Sequence, residues 1–573
     1  MTVDTASGGT SGPLRPEDVP LHDLPLAEQN LPAMLERQAR AFGDKPLMRI
    51  GDLTRTYAEA RDAAALAGGL LESVGIRKSD RVAAMCRNRI ELWDLFAGCA
   101  WIGAIAVPLN IALRGEQLRH ALANSGARTL VIEPDLLAAL DAFPCPDTLE
   151  QLWLLDELPA HLPASYSAVD MPTGGGPLAL RAVAPGETAA ILYTSGTTGP
   201  SKGVVCPAAQ LYWWARTLTQ VIGIRPTDVL YNCLPLYHTN ALMTPIEALL
   251  AGASCVIGER FSSSGFWIEA GEAGGTITYL LGALSNRLLG QPERPTDRSH
   301  AVRKLFAPGT AASVWQPFCD RFGVEEIIEG YGSTETNHCV GRAPGYPVSQ
   351  PGRMGWVLSD YFEAQIVDGN DAPVADGEPG ELVFRSRYPF SMSQGYWGMP
   401  EATADAFRNL WLHTGDSAVR DGDGCYRFVD RRKDSMRRMG ENISSWEVEE
   451  AIASHPSVAQ VAVFGIPSEA VDEEVMAVVV LGDGEKFDPA GIVEHLQSRL
   501  AYFAIPRYFE AVAELEYTTN GKIRKSGLRS RGVTDATWDR GELRRGRGAA
   551  VETTAARREM RDSNDRSNTR RRP

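Results

Sequence analysis

Apolar and polar positions along this 573-residue chain follow two different patterns. From Leu31 to about Asp430, stretches with helical spacing of apolar residues alternate with short β-rich runs. The clearest of these runs are residues 130–132, 189–193, 255–257 and 381–384. Such alternation is typical of α/β layers, so we predict a large N-terminal α/β domain with several subdomains over residues 26–431.

A second pattern begins after Asp430 and predicts a smaller α+β domain over residues 432–530. About 100 residues are enough for an independent compact unit. The local signals, in order, are a capping-box pair at Ser444 and Glu447, a helix stop at Pro456, strand-like runs at 458–464 and 475–481, and a helix start at Asp488 and Pro489 that should run to about Leu500.

Both ends of the chain have the composition of disordered segments. Residues 1–25 are rich in Gly, Ser, Thr and Pro, and residues 531–573 are rich in Arg with few apolar positions. We therefore predict disorder at both ends, and a surface connection over residues 158–187, where Pro, Gly and Ala are frequent.

The net charge and the positions of the cysteines limit the classes of binding partner and the cellular compartment that we expect. The formal net charge is −15, which argues against general binding to nucleic acid or to a membrane surface. The sequence contains no run of about 18 apolar residues, so we predict no transmembrane helix. The N-terminus lacks the pattern of a secretion signal. The nine cysteines have no zinc-binding spacing, and Cys206, Cys233 and Cys255 have the apolar surroundings of buried free thiols. We expect a cytoplasmic protein.

The strongest chemical signal is a loop after the apolar run 189–193. It has the sequence TSGTTGPSKG over residues 194–203 and carries Lys202 near its end. Glycines let successive backbone N–H groups turn toward one point, and hydroxyl groups add donors, so the loop suits a polyphosphate. The spacing differs from a Walker A motif, which argues against a kinase or ATPase of the P-loop type.

This loop resembles the phosphate-binding signature of the acyl-adenylate-forming superfamily of AMP-dependent synthetases and ligases. Further segments match in the same order, and the resemblance covers roughly residues 30–530. They are LPLYHTN at 234–240, YGSTET at 331–336, WLHTGD at 411–416, DRRKD at 430–434, GENI at 440–443 and GKIRK at 521–525. The surrounding sequence looks most like carnitine/crotonobetaine–CoA ligases and fatty-acid-transport-type ligases.

The resemblance implies an acid–thiol ligase that uses ATP and Mg²⁺. A carboxylic acid is first converted to its acyl-AMP with release of pyrophosphate, and the acyl group then passes to CoA. The alternatives left open are a separate carrier protein or an amine as acceptor, or an unusual acid such as nitrite. A non-catalytic scaffold is disfavoured because Thr194, Glu335, Asp416 and Lys522 are all present. Oligomeric state stays open.

The same resemblance implies the site residues. The catalytic groups are Lys522, Thr194, Glu335 and His238, with Glu335 as the Mg²⁺ ligand. The ATP-binding residues are Thr194, Ser195, Gly196, Thr197, Thr198, Gly199, Lys202, Gly309, Thr310, Tyr331, Gly332, Ser333, Thr334, Asp416, Arg431 and Lys522. Within this set Tyr331 would pack against adenine, Thr334 would contact the α-phosphate, and Asp416 with Arg431 would bind ribose.

The acid and the thiol have their own implied positions. His238, Asn240, Gly330 and Gly332 would line the acid pocket. Lys433 matches a hinge about which the small domain rotates between the two half-reactions, and Gly440 with Glu441 would then border the thiol channel. Lys522 would bridge carboxylate and phosphate oxygens in the first step and leave for the second.

Overall fold

A computed structural model describes most of the chain. The described residues are 12–141, 143–156, 168–194, 201–342, 344–346, 348–431, 436–438, 441–443, 445–467, 473–497, 499–500, 504–517 and 523–541. The chain divides into a large unit, Met1–Thr414 with Val419–Arg427, and a small unit, Gly415–Ala418 with Phe428–Pro573. The predicted domain boundary between residues 431 and 432 lies near this division.

Helices of the large unit alternate with strands, as the hydrophobic pattern predicts. The helices are α1 (Leu31–Phe42), α2 (Tyr57–Ser73), α3 (Ile90–Ile102), α4 (Gly115–Ser125), α5 (Ala208–Ile222), α6 (Thr239–Ala251), α7 (Phe266–Glu272), α8 (Gly282–Leu289), α9 (Ala312–Phe322) and α10 (Pro400–Ala406).

The strands on the same part of the chain are short. They are β1 (Pro46–Ile50), β2 (Leu53–Thr56), β3 (Arg81–Met85), β4 (Ile105–Pro108), β5 (Thr129–Ile132), β6 (Gln151–Leu154), β7 (Ala168–Asp170), β8 (Thr188–Thr194), β9 (Lys202–Pro207), β10 (Val229–Asn232), β11 (Ser254–Ile257), β12 (Ile277–Tyr279), β13 (Lys304–Phe306), β14 (Glu326–Ile328), β15 (Gly330–Ser333), β16 (Asn337–Gly341), β17 (Trp356–Val357), β18 (Phe362–Val367), β19 (Gly380–Ser386), β20 (Leu412–Arg420) and β21 (Tyr426–Arg431). All four β-rich runs named from the sequence are strands.

Two seven-stranded sheets form the core of the large unit. The first sheet has the order β14-β13-β12-β10-β11-β1-β2, and the second has the order β7-β6-β5-β3-β4-β8-β9. Each is parallel except at one edge, where β1–β2 and β8–β9 pair antiparallel. Parallel sheets need cover on both faces, and α5 is buried along its whole length, which is expected of a helix that is packed on all sides.

Two smaller sheets complete this part of the chain. One has the order β15-β16-β17 and the other the order β18-β19-β20-β21. The division between the two units passes through β20 and β21, where the chain changes unit at 414/415, 418/419 and 427/428.

The small unit contains three helices and six strands within its described residues. They are α11 (Ser445–Ala453), α12 (Pro489–Gln497), α13 (Lys525–Arg531), β22 (Met436–Arg438), β23 (Glu441–Ile443), β24 (Val458–Pro467), β25 (Glu473–Leu481), β26 (Tyr508–Ala511) and β27 (Trp538–Asp539). The sheet order β24-β25-β26-β27 confirms both predicted strands.

The helix predicted from Asp488 begins as expected. The Gly491 N–H donates to Asp488 Oδ1 at 3.0 Å, which is an N-cap hydrogen bond. This helix ends at Gln497, before the predicted end near Leu500. The capping box at Ser444 and Glu447 lies outside the described side chains.

The predicted disorder at the N-terminus is wrong for residues 12–25. Val19 and Leu24 are buried there, and the Tyr212 hydroxyl of α5 donates to Leu21 O at 2.8 Å. A few apolar anchors order this segment although its average composition is that of a disordered chain. The first 11 residues lie outside the described part.

The C-terminal prediction needs a similar correction. Residues 531–541 belong to the small unit, because β27 pairs with β26 and Arg540 is buried. The Arg540 guanidinium donates to Ile505 O at 3.1 Å. Residues 542–573 lie outside the described part of the chain.

Two further expectations can be compared with the fold. Cys206, Cys233 and Cys255 are buried free thiols, as predicted. Among the described residues, no helix is both long enough and apolar enough to span a bilayer.

A carboxyl group lies in the core beneath the first sheet. Glu247 on α6 is fully buried, and the Tyr279 hydroxyl at the end of β12 donates to its Oε2 at 2.5 Å. Its Oε1 has no hydrogen-bond partner in the described structure. Burial raises the pKa of Glu247 to about 8, although the Tyr279 hydrogen bond lowers it.

We predict that Glu247→Gln flattens the pH dependence of stability. Between the ordinary pKa of 4.5 and the folded pKa of about 8, the folded protein retains a proton that the unfolded chain releases, so stability falls as pH rises. Removing this group should reduce that slope by about 1.4 kcal/mol per pH unit, measured from Tm between pH 5 and 8.

The matched control for this measurement is Glu293→Gln, which changes an exposed carboxylate of the same unit. It should leave the slope of the wild-type protein unchanged. Parallel pH profiles for Glu247→Gln and the wild-type protein would contradict the prediction.

Candidate active site

The predicted site residues follow strands that end at one edge of the first sheet. Strands β10, β12, β13 and β14 run parallel, so the loops after their carboxyl ends emerge together. These loops contain the segments 233–240, 307–310 and 329–335. Ligands of open α/β sheets bind outside the carboxyl ends of the strands, which makes this edge the candidate active site.

The phosphate loop joins β8 to β9, the last two strands at one edge of the second sheet. Thr194 ends β8 and lies opposite Lys202, which begins β9. The Thr194 hydroxyl donates to Lys202 O at 3.4 Å, so the two ends of the loop are held together. Ser195, Gly196, Thr197, Thr198 and Gly199 lie outside the described residues.

The predicted metal-binding carboxylate lies at the tip of a tight hairpin. Strands β15 and β16 pair antiparallel, and their turn is closed by Ser333 and Thr336, each of whose backbone N–H donates to the other's hydroxyl, at 3.0 and 3.1 Å. The Gln210 side chain donates to Thr334 O at 2.8 Å and fixes the turn to α5. Glu335 is only half-buried at this position.

Tyr396 connects the hairpin with the phosphate loop, and the sequence did not indicate it. Its hydroxyl donates to Glu335 Oε1 at 3.1 Å. The Lys202 Nζ lies 4.5 Å from the centroid of its ring, which is cation–π geometry. The fold therefore brings two of the predicted residues, Lys202 and Glu335, to one side chain, Lys202 at its ring face and Glu335 at its hydroxyl.

The residues present fit a Mg²⁺ ion that arrives with a nucleotide. Over the described residues no group of three His, Cys, Asp or Glu side chains could hold a metal by itself. Mg²⁺ is commonly held by one or two carboxylates together with substrate phosphates and water, rather than by a cage of protein ligands. Glu335 supplies one half-buried carboxylate next to the phosphate loop.

A second carboxyl group missed by the sequence supports the loop after β13. Glu329 is buried, and its two oxygens accept the N–H groups of Gly309 and Thr310 at 3.0 and 3.1 Å. Gly309 has φ +78°, and a Cβ on Gly282 would come within 1.9 Å of Gly309 O. Burial raises the pKa of Glu329 to about 8, and the backbone N–H groups partly oppose this.

Tyr331 and its neighbouring glycines form a closely packed layer. The Tyr331 ring stacks on Phe384 with centroids 5.7 Å apart and planes inclined by 19°. A Cβ on Gly330 would lie 2.2 Å from His338 Cε1, and one on Gly332 would lie 2.5 Å from Asn337 O. Glycine is therefore required at both positions in this packing.

His338 is another residue that the sequence did not indicate. It is buried beside Phe306, and burial lowers the pKa of its imidazole to about 3, so the ring is neutral. Its Nε2 has no hydrogen-bond partner among the described residues. No sequence signal distinguishes it from a core histidine, because its position depends on the pairing of β15 with β16.

His238 and Asn240 open helix α6. His238 is its N-cap residue and packs its ring against Tyr237 at 4.7 Å. The buried Asn232 at the end of β10 donates to Asn240 Oδ1 and to Thr244 Oγ1, both at 2.9 Å. Asn232, Asn240 and Thr244 thus form a hydrogen-bonded polar layer at the start of α6, which follows His238 in the sequence.

The remaining predicted residues belong to the small unit or are not described. Asp416 is half-buried on β20, in the segment assigned to the small unit. Arg431 ends β21 and Glu441 begins β23, but their side chains are not described. Lys433, Gly440 and Lys522 lie outside the described residues.

Comparison with known proteins identifies the family. The profile of the AMP-binding enzyme matches residues 35–397, and that of the AMP-binding enzyme C-terminal domain matches residues 447–522. The chain belongs to the AMP-binding enzyme family. Crotonobetaine/carnitine–CoA ligases from Salmonella paratyphi B and Salmonella typhi are each 33% identical to this AMP-binding enzyme over 516 residues, which cover 87% of this chain and 99% of theirs.

Solved structures agree with this assignment. An anthranilate CoA ligase in complex with anthranoyl-AMP has a TM-score of 0.80 at 26% identity, with 89% of this chain and 98% of that one covered. ATP-bound MatB from Rhodopseudomonas palustris has a TM-score of 0.78 at 26% identity, with 88% and 98% covered. The predicted fold class and the predicted enzyme class, an AMP-forming acid–thiol ligase, are confirmed.

We predict that Glu329→Gln weakens nucleotide binding by about tenfold. The amide nitrogen of Gln would face one of two buried backbone N–H donors, and a buried donor without an acceptor costs about 1–3 kcal/mol. Binding of a fluorescent ATP analogue measures the effect directly.

The control is Glu326→Gln at the start of β14, which removes the ion pair with Arg342 and leaves the loop at 309–310 intact. It should lower Tm and leave nucleotide affinity within about twofold. Equal nucleotide affinity in both variants would show that Glu329 does not support the nucleotide site.

Proposed function

We propose that this AMP-binding enzyme joins a carboxylic acid to the α-phosphorus of ATP, releases pyrophosphate, and transfers the acyl group from acyl-AMP to CoA. Two kinds of relatives, one named for CoA ligation and one solved with an acyl-adenylate, support both half-reactions. The observation that carries the proposal is the meeting of Lys202 and Glu335 at Tyr396, beside the loops after the parallel strands.

Charge neutralisation is the main task of the first step, because two anions must react. Thr194, Lys202 and the loop residues Ser195–Gly199 would bind the β- and γ-phosphates through N–H groups, hydroxyls and one cation. Glu335 would orient the metal, and Mg²⁺, when bound, supplies further positive charge at the phosphates. Lys522 would bring the last cation to the oxygens of the reacting carboxylate and α-phosphate.

The nucleoside would bind along the loop at residues 309–310 and the hairpin that begins at Gly330. The backbone at Gly309 and Thr310, held by Glu329, offers a rigid edge for adenine, and the ring of Tyr331 offers a flat face. Ser333, Thr334 and Gly332 would approach the α-phosphate. Asp416 with Arg431 would accept and donate hydrogen bonds at the ribose hydroxyls.

The second step requires the site to admit a thiol after having excluded water. His238 would border the acid carboxylate and the route of the thiol, with Asn240, Gly330 and Gly332 around the acid. Lys433 would serve as the hinge of the small unit, and Gly440 with Glu441 would line the thiol route once Lys522 has withdrawn.

We further propose that the acid is compact and polar. Support comes from the layer after His238, where Asn232, Asn240 and Thr244 are hydrogen-bonded to one another and the buried Glu247 follows on the same helix. A long alkyl chain that entered this layer would deprive these groups of partners, which is costly in a buried region. The crotonobetaine/carnitine–CoA ligases are named for acids of this size.

The acid class is tested with purified protein, ATP, Mg²⁺, CoA and a panel of carnitine-like, aromatic, short-chain and long-chain acids. We expect an ATP-dependent acyl-CoA mass with a compact acid, at a rate at least about tenfold above that with a sixteen-carbon acid. A preference for long chains would overturn the polar-acid proposal. If acyl-AMP forms without a thioester, the acceptor is a carrier protein or an amine rather than CoA.

The role of Lys522 is tested with Lys522→Ala. Loss of the cation at the reacting oxygens should reduce acid-dependent ATP–pyrophosphate exchange by about 100-fold or more while Tm stays unchanged. The matched control is Lys525→Ala, which removes an amine 2.8 Å from both Ser445 Oγ and Glu449 Oε1 within the small unit. That control should lower Tm and retain exchange. Near-normal exchange in Lys522→Ala would reject the assignment.

A further inference from the structure

Tyr396 lies in a segment that is held tightly beside the phosphate loop. Residues 394–397 run along β9, where Gln394 N donates to Val205 O at 3.0 Å and Trp397 N donates to Gly203 O at 2.7 Å. The Tyr396 N–H donates to the hydroxyl of Thr403 at 2.9 Å. The backbone therefore fixes where this tyrosine can direct its ring.

The opposite hairpin is fixed to the same segment. Ser393 N donates to Glu335 O at 2.9 Å, and Asn337 Nδ2 donates to Ser391 O at 2.6 Å. Glu335 and Tyr396 are thus anchored on both sides of the hydrogen bond between their side chains. The bond at 3.1 Å is a feature of two rigid elements rather than of two free surface groups.

The side chain of Tyr396 lies between two opposite charges, the Lys202 ammonium group and the Glu335 carboxylate. Lys202 lies over the ring face, Glu335 accepts a hydrogen bond from the hydroxyl, and in the described structure these two residues form no ion pair with each other. Only Oε1 of Glu335 is occupied by this bond, and its Oε2 accepts no hydrogen bond from a described residue. One carboxylate oxygen and one ammonium group are therefore kept for other ligands.

We propose that Tyr396 is a positioning residue that separates the phosphate-loop cation from the metal-binding carboxylate and orients both toward bound MgATP. The inference rests on the proposed role of Glu335 as a Mg²⁺ ligand. Without the ring, an extended lysine and a glutamate so close together could pair directly. Nucleotide and metal would then have to break that pair before binding.

The two parts of the side chain have separable tasks. The ring attracts the Lys202 ammonium group by its quadrupole, while the hydroxyl orients the carboxylate, as residues bound to metal ligands commonly do. Tyr396→Phe removes the second task alone. Tyr396→Leu removes both tasks and keeps an apolar side chain of moderate size.

The test measures binding, not turnover. Mn²⁺ serves as the probe, and its binding is followed by electron paramagnetic resonance in the presence of a non-hydrolysable ATP analogue and without any acid. We expect Tyr396→Phe to weaken Mn²⁺ binding by about tenfold and to leave analogue affinity at saturating metal nearly unchanged. Tyr396→Leu should weaken analogue affinity in addition, by about three- to tenfold.

The control is Tyr193→Phe, which removes a similar hydroxyl, the donor of a 2.7 Å hydrogen bond to Asn124 Oδ1, from the same unit. It should leave both affinities within about twofold. Tm of every variant verifies that the fold is retained, and a loss of fold in Tyr396→Phe itself would show a structural role and overturn the proposal.

Glu335→Gln separates this inference from the proposed function. If Glu335→Gln does not weaken Mn²⁺ binding, the metal role of Glu335 is wrong and the inference falls with it. If Glu335→Gln weakens Mn²⁺ binding and Tyr396→Phe behaves like Tyr193→Phe, the metal role stands and the positioning role of Tyr396 is wrong.

Discussion

Parallel strands can be joined only by crossovers, and this constraint determines where the chemistry of the large unit is found. Because each connection returns to the same edge, the loops after β10, β13 and β14 leave the first sheet side by side. His238, Thr310 and Glu335 are far apart in sequence, yet all follow these strand ends. Helix α5, buried throughout, directly follows β9 and supports the hairpin through Gln210.

Electrostatics explains how a chain with a net charge of −15 can bind polyanions. The acidic groups nearest the core of the site are either buried with a raised pKa, as Glu329 is, or oriented by a neighbouring hydroxyl, as Glu335 is. A buried carboxyl group that retains its proton adds no negative charge beside the nucleotide. In the proposed site the attraction for phosphate would therefore be local, from backbone N–H groups and Lys202, rather than from the overall charge.

The fold class, the strands and the enzyme class could be predicted from the sequence because each is marked by a pattern within a short stretch of the chain. Alternation marks β5 and β11, and the string TSGTTGPSKG marks the loop between Thr194 and Lys202. The sequence did not reveal Glu329 or Tyr396, because their partners are at least 19 residues away and their proximity depends on the tertiary fold. Average composition also hid the anchors Val19 and Leu24, which order a segment that contains many small polar residues.

The contact between Gly330 and His338 has a consequence for anyone who would redesign the proposed acid pocket. In the register of β15 and β16 His338 lies opposite Gly332, but its ring packs over Gly330 so closely that a methyl group on Gly330 would overlap that ring. Libraries that vary position 330 alone will mostly sample misfolded hairpins. The space at this point of the hairpin is shared by two positions, so a larger side chain at position 330 requires a smaller one at position 338.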